Sequence, residues 1–140
     1  TSSDYRLKEN VDYTWDATTR LKQLKPARFN WISDDTNTLQ DGFLAHEVSS
    51  IVPIAVTKTK DATRTLTNAV LDASGKVLNS RISEDEWKEE KEKGNYPADS
   101  TWESSKEVPD YQTIDESKLV PLLVKTVQEL EARIKALEDA

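Results

Sequence analysis

The sequence predicts an α+β chain: a small mixed core of short strands and short helices, followed by a long C-terminal helix. Three observations carry this. Apolar runs between Ala17 and Leu78 are short and cut by Pro26, Pro53, Gly42 and Asp/Asn/Ser turns. Ser83-Glu84-Asp85-Glu86 has the form of a capping box, which starts a charged helix. Val120, Leu123, Val127, Leu130, Ile134 and Leu137 then recur at alternating spacings of three and four. The 140 residues suit one domain with a core of its own. Apolar residues make up only 36% against charged residues at 32%, so the surface is large for the core and the chain should be elongated or oligomeric.

In chain order, Thr1 to Tyr13 is polar and without period, hence extended or irregular. A helix is expected over Ala17 to Leu24, with Asp16 as N-cap and Leu21 and Leu24 on the buried face. Pro26 ends it, because the residue before a proline disfavours the α region. Arg28 to Ile32 reads as a strand with Phe29 and Trp31 on one face, and Ser33 to Asn37 has turn chemistry. Gly42 to Val52 reads as a helix whose stripe is Leu44, Val48, Ile51 and Val52, stopped by Pro53.

Ile54 to Thr59 is a short strand by pattern. Ala69-Val70-Leu71 and Lys76-Val77-Leu78 flank Asp72-Ala73-Ser74-Gly75 as a hairpin. Ile82 and Trp87 stand at the hydrophobic-staple positions of a helix from about Glu84 to Lys93, with Gly94 at its end. Asn95 to Asp110 reads as loop and Tyr111 to Ile114 as a short strand. In the last helix Val120, Val127 and Ile134 are heptad a positions, and Leu123, Leu130 and Leu137 are d positions. Arg133 at g can pair with Glu138 at e of a parallel neighbour. On residue choice alone, β-branched a with Leu d favours a dimer. The other reading of this stripe is an amphipathic helix packed on its own domain.

Composition excludes several functions. The net charge of −7 repels phosphate backbones, so no nucleic-acid or anionic-membrane partner is expected. There is no Cys, hence no disulfide, thiolate metal site or Cys nucleophile, and the single His46 excludes a multi-His zinc site. No apolar run approaches the ~20 residues needed to span a bilayer. None of the three glycines forms a phosphate-cradling loop, and no cofactor or metal is expected.

Four pieces in order then resemble one family: Ser3-Asp4-Tyr5-Arg6-Leu7-Lys8-Glu9-Asn10, Leu24-Lys25-Pro26-Ala27-Arg28-Phe29-Asn30-Trp31, Gly42-Phe43-Leu44-Ala45-His46-Glu47-Val48, and Lys118-Leu119-Val120-Pro121-Leu122-Leu123-Val124. The family is the C-terminal intramolecular chaperone domain of phage tailspikes and tail fibres, the endosialidase-type self-cleaving family. The opening resembles its S-D-x-R-x-K signature. The third piece resembles its G-F-[IL]-A-Q-E-V signature, with His46 where Gln is usual.

The resemblance implies a single chaperone domain made as the tail of a longer fibre or spike chain. Residues 1–56 would form the core with the self-cleavage motif, 57–112 an inserted arm protruding toward the fibre, and 113–140 a coiled-coil helix. It implies a homotrimer, which overrides the dimer suggested by the a and d residues. It also implies a cut on the N-terminal side of Ser3, with Ser3 as nucleophile and Lys8 as general base. The setting is the host-cell cytoplasm during phage assembly, the upstream fibre going to the virion tail and the chaperone being released. Thr1 and Ser2 precede the scissile position: they are added residues, the remnant of an uncut bond, or the mark of a cut at Ser2.

The chemistry suits those residue types. A Ser hydroxyl is a weak nucleophile until a base removes its proton. A lysine serves only when neutral, a form favoured by burial or by a nearby cation. Arg6 is close in sequence, and trimerisation would bury Lys8. Asp4 and Glu9 read as solvated charges, and His46 as a hydrogen-bonding position, since no partner ligands accompany it. Trp15, Trp31, Trp87 and Trp102 read as core or interface anchors. The rival function is a trimerisation or attachment module without protease activity. A hydrolase acting on external substrates is disfavoured by the lack of Cys, of a second His and of Gly-rich loops.

Overall fold

In the computed structural model, which describes residues 2–140, the chain divides into two units. One comprises the described residues up to Thr57 together with Thr113–Ala140, the other Lys58–Gln112. Thr1, the first residue of the expected extended segment, lies outside the described residues.

The first unit begins with an irregular segment holding one 3-10 turn, Tyr5–Leu7. Helix α1 is only Thr18–Leu21. It ends before Leu24 because the chain turns at Lys22 and Gln23 on its way to Pro26. Asp16 does not cap it; its carboxylate accepts the Thr19 hydroxyl at 2.6 Å instead. Strand β1, Ala27–Phe29, pairs antiparallel with β2, Gln40–Gly42. Trp31 lies just outside β1, edge-on to Phe29 with ring centroids 5.0 Å apart, and is largely exposed.

Gly42, expected to open a helix, sits opposite Ala27 in β2, where an added Cβ would stand 3.1 Å from the Phe29 ring. The pairing therefore claims residues 40–42, and helix α2 shrinks to Ala45–Ser49. Leu44 precedes it in an extended conformation and is exposed, so the expected stripe reduces to Val48, Ile51 and Val52. A 3-10 turn, Pro53–Ala55, replaces the start of the expected strand, leaving β3 as Val56–Thr57. Its partner is β7, Thr113–Ile114. A 3-10 turn, Glu116–Leu119, leads into the 19-residue α4, Val120–Glu138. Pro121 falls in its first turn, where a missing N–H costs nothing.

Ala17, Val48, Val52, Ala55, Leu119 and Leu122 form the buried core of this unit. Trp15, Leu21, Leu24, Phe43, Ile51, Val56 and Ile114 pack around it. Helix α4 thus has two apolar faces. Leu122 and Thr126 are buried, whereas all six heptad residues, Val120 to Leu137, remain exposed.

The second unit is a three-stranded antiparallel sheet in the order β5-β4-β6 with one helix. β4, Thr63–Leu71, and β5, Val77–Asn79, form the expected hairpin. Asp72 closes its turn by accepting the Ser74 and Lys76 N–H groups, both at 2.9 Å, and Gly75 takes the positive φ of +88° the turn requires. Helix α3, Glu84–Glu92, starts where the capping box places it: Ser83 Oγ accepts the Glu86 N–H at 3.1 Å. It stops before Gly94, whose φ of +82° suits a helix exit.

β6, Thr101–Pro109, overturns the loop expected there; it pairs along all of β4, from Thr63 opposite Pro109 to Leu71 opposite Thr101. It is an edge strand whose middle reads Glu-Ser-Ser-Lys-Glu, so no apolar alternation betrays it. Ala69, Val70, Leu71 and Ile82 are the buried apolar residues of this unit, and the polar Ser100 is buried as well. Trp102 anchors it by donating its indole N–H to the Ile82 carbonyl at 2.8 Å, and Trp87 by donating to Ser100 Oγ at 3.1 Å.

Candidate functional site

Ser3 and Lys8 are five residues apart, a spacing that no regular helix or strand brings together. The 3-10 turn does it. Asp4 starts that turn: its carboxylate accepts the Arg6 N–H at 2.9 Å, as an N-cap does. The Leu7 N–H then donates to the Asp4 carbonyl and the Lys8 N–H to the Tyr5 carbonyl, both at 3.1 Å. The chain doubles back, and Lys8 Nζ donates to Ser3 Oγ at 2.6 Å.

Asp4 is therefore no idle surface charge. Its two oxygens also take the Arg6 guanidinium as a fork, Nε and Nη2 each at 2.9 Å. That side-chain pairing, reinforced by the backbone N–H, holds the Asp4 carboxyl below the usual carboxylate range. It also gives the Arg6 charge a partner of its own. Arg6, the cation that proximity in sequence offered to Lys8, is spent on Asp4. The signal for this was the Asp-x-Arg spacing at the head of the motif.

Ser3 and Lys8 are both exposed in the single chain. A hydroxyl 2.6 Å from an amine is in reach for proton transfer. With the amine charged, the contact is a donation to the hydroxyl oxygen. Once the amine is neutral, the same distance lets it take the hydroxyl proton.

The remaining singled-out residues stand elsewhere. His46 lies exposed on α2, with Lys25 and Glu47 paired nearby at 3.2 Å. Among the described residues no three His, Cys, Asp or Glu side chains gather to hold a metal. Among them, too, no helix is long and apolar enough to cross a membrane. Val120, Leu123, Val127, Leu130, Ile134 and Leu137 line one side of α4. Trp87 and Trp102 are engaged within the second unit, as their hydrogen bonds require.

Residues 3–57, about two-fifths of the chain, match the model of the Peptidase_S74 family, described as chaperone of endosialidase. The matched stretch holds the first three of the four motifs, Ser3 and Lys8 included, and ends at β3. The resemblance read from the motifs holds over this segment, and the family's description supports a chaperone role for it. No curated protein matches the chain.

Proposed function

We propose that the chain is an intramolecular chaperone that assembles in three copies, guides the folding of an upstream phage tail fibre or tailspike, and releases itself at the bond preceding Ser3. The observation that carries this reading is the Ser3 Oγ–Lys8 Nζ contact inside a segment of chaperone-family sequence.

The reaction follows from that pair. Neutral Lys8 takes the proton from Ser3 Oγ, and the oxygen attacks the carbonyl carbon of Ser2. The C–N bond to Ser3 breaks, its nitrogen taking up the proton, and the acyl group rests as an ester on Ser3 Oγ. Water hydrolyses the ester, leaving a carboxylate at Ser2, a free amine at Ser3 and the hydroxyl restored. Lys8 stands in water in the isolated chain. Packing of three copies removes that water, so the cut waits for assembly.

The exposed stripe of α4 supplies the assembling surface, and Lys58–Gln112 serves as the arm that meets the fibre. The logic is kinetic. A long trimeric β-fibre is dominated by non-local contacts and folds slowly. Joining three C-termini raises the effective concentration of the chains and aligns them. Removing the tie leaves a fibre whose persistence depends on its unfolding rate.

A trimerisation module without protease activity is the second reading, favoured by the stripe alone, which needs no dyad. Ser3→Ala and Lys8→Ala precursors decide between them. Self-release predicts an uncut band for both variants beside a cut wild type; three identical patterns leave only the second reading.

A further inference from the structure

Among the described residues, the hydrogen bonds of residues 3–11 are all made within that stretch, so nothing polar fastens the Ser3–Lys8 turn to the rest of its unit. The first fastening comes just after it, and α4 provides it. Lys125 Nζ donates to the Tyr13 carbonyl at 2.7 Å. One turn further along the same helix, the Glu129 carboxylate accepts the Ala17 N–H at 3.0 Å and the Thr18 N–H and hydroxyl at 3.1 Å. Glu129 thus does for α1 what Asp16 was expected to do. Between the two anchors Trp15 packs on the core, and Leu122 and Thr126 bury the α4 surface beside them.

At ~100° per residue, Lys125 lies about 170° and Glu129 about 130° from the centre of the heptad stripe at Leu123, Val127 and Leu130. One helix therefore holds residues 13–18 on one side and presents the assembling stripe on another.

We propose that Lys125 and Glu129 are positioning residues for self-cleavage: they clasp the segment that leaves the Ser3–Lys8 turn to the helix whose other face assembles, so that assembly fixes where each copy's scissile bond stands. This rests on the self-release reading above. Without the clasp, α4 still assembles but the turn is no longer held in register with its neighbours. Tyr5, Leu7, Val11 and Tyr13, all exposed in the single chain, then lose their set position against the other copies.

The test uses the full precursor, with the cut followed on gels and the oligomeric state by sedimentation in the same samples. Lys125→Met keeps the apolar stem and removes the donor, Lys125→Arg restores a donor, and Glu129→Gln weakens the second anchor. Lys125→Met and Glu129→Gln are expected to remain trimeric and to cut at least about tenfold more slowly, since small misplacements of reacting groups carry losses of that order. Lys125→Arg is expected to recover most of the rate, which a loss of packing alone does not predict. If a variant falls to monomers, a trimeric coiled coil appended after Ala140 holds the copies together and the rate is read again. Trimers of Lys125→Met that cut at the wild-type rate overturn the clasp, as do Lys125→Arg trimers as slow as Lys125→Met. Failure of the underlying reading looks different: wild type and Ser3→Ala then give the same bands, and the clasp falls with it.

Discussion

Placing glutamates at Val127 and Leu130 tests how the stripe governs the cut. Val127 is 64% exposed and Leu130 42% exposed in the single chain, so that share of each side chain is left to bury on assembly. Complete burial of a Val or Leu is worth ~1.5–3 kcal/mol, which leaves ~1–2 kcal/mol for Val127 and ~1 kcal/mol for Leu130. Over three copies the double substitution forfeits ~6–9 kcal/mol of apolar burial, about four orders of magnitude or more in the assembly constant. Six carboxylates crowded at one seam add repulsion and desolvation on top. Neither residue belongs to the buried core that holds the unit together, so the monomer keeps its fold. Sedimentation should find Val127→Glu/Leu130→Glu monomeric, circular dichroism should find its helix content close to wild type, and the precursor should stay uncut. Complete cutting by those monomers would refute the idea that assembly gates Lys8.

Three further outcomes follow from particular contacts. Asp4→Ala removes both the N-cap and the Arg6 fork, so the turn that brings Lys8 to Ser3 loosens; trimers should form and cut at least about tenfold more slowly, read by gel and sedimentation. Thr126→Val should raise stability by ~1 kcal/mol, a few degrees in Tm, because the buried Thr126 hydroxyl has no hydrogen-bond partner among the described residues. Asp34, held down to about 2 by the Thr36 hydroxyl first and then by the Thr36 and Thr38 N–H groups, stabilises its loop above the usual carboxylate pKa. That contribution should fade as pH falls from ~4 towards 2, seen by NMR as faster exchange of the Thr36 and Thr38 amides.

Local physics was legible in the sequence, and long-range claims on the backbone were not. Ser83, Glu86 and Gly94 start and stop α3 close to where their capping chemistry says, and Asp72 and Gly75 set the hairpin turn. Each of those signals acts within a few residues. Helix α2 lost its first turn because Gly42 pairs with Ala27, fifteen residues earlier, a competition that periodicity does not contain. β6 was missed because an edge strand tolerates the charged side chains that erase alternation. The cap of α1 comes from Glu129, more than a hundred residues away, so Asp16 was the natural but mistaken choice.

The site divides in the same way. Ser3 and Lys8 were found only through the family motif, because a spacing of five implies contact in no regular element. Asp4 looked inert until its turn was built. Lys125 and Glu129 carry no sequence signal at all: on the helix they read as two more charges beside a heptad stripe.

The most direct test of self-release is the intact mass of the fragment freed from the wild-type precursor, with its N-terminal residue determined. A cut made by Ser3 and Lys8 predicts a fragment that begins at Ser3, appears only with the trimer, and is absent from Ser3→Ala and Lys8→Ala. A fragment beginning at another residue, or the same fragment from Ser3→Ala, would contradict it.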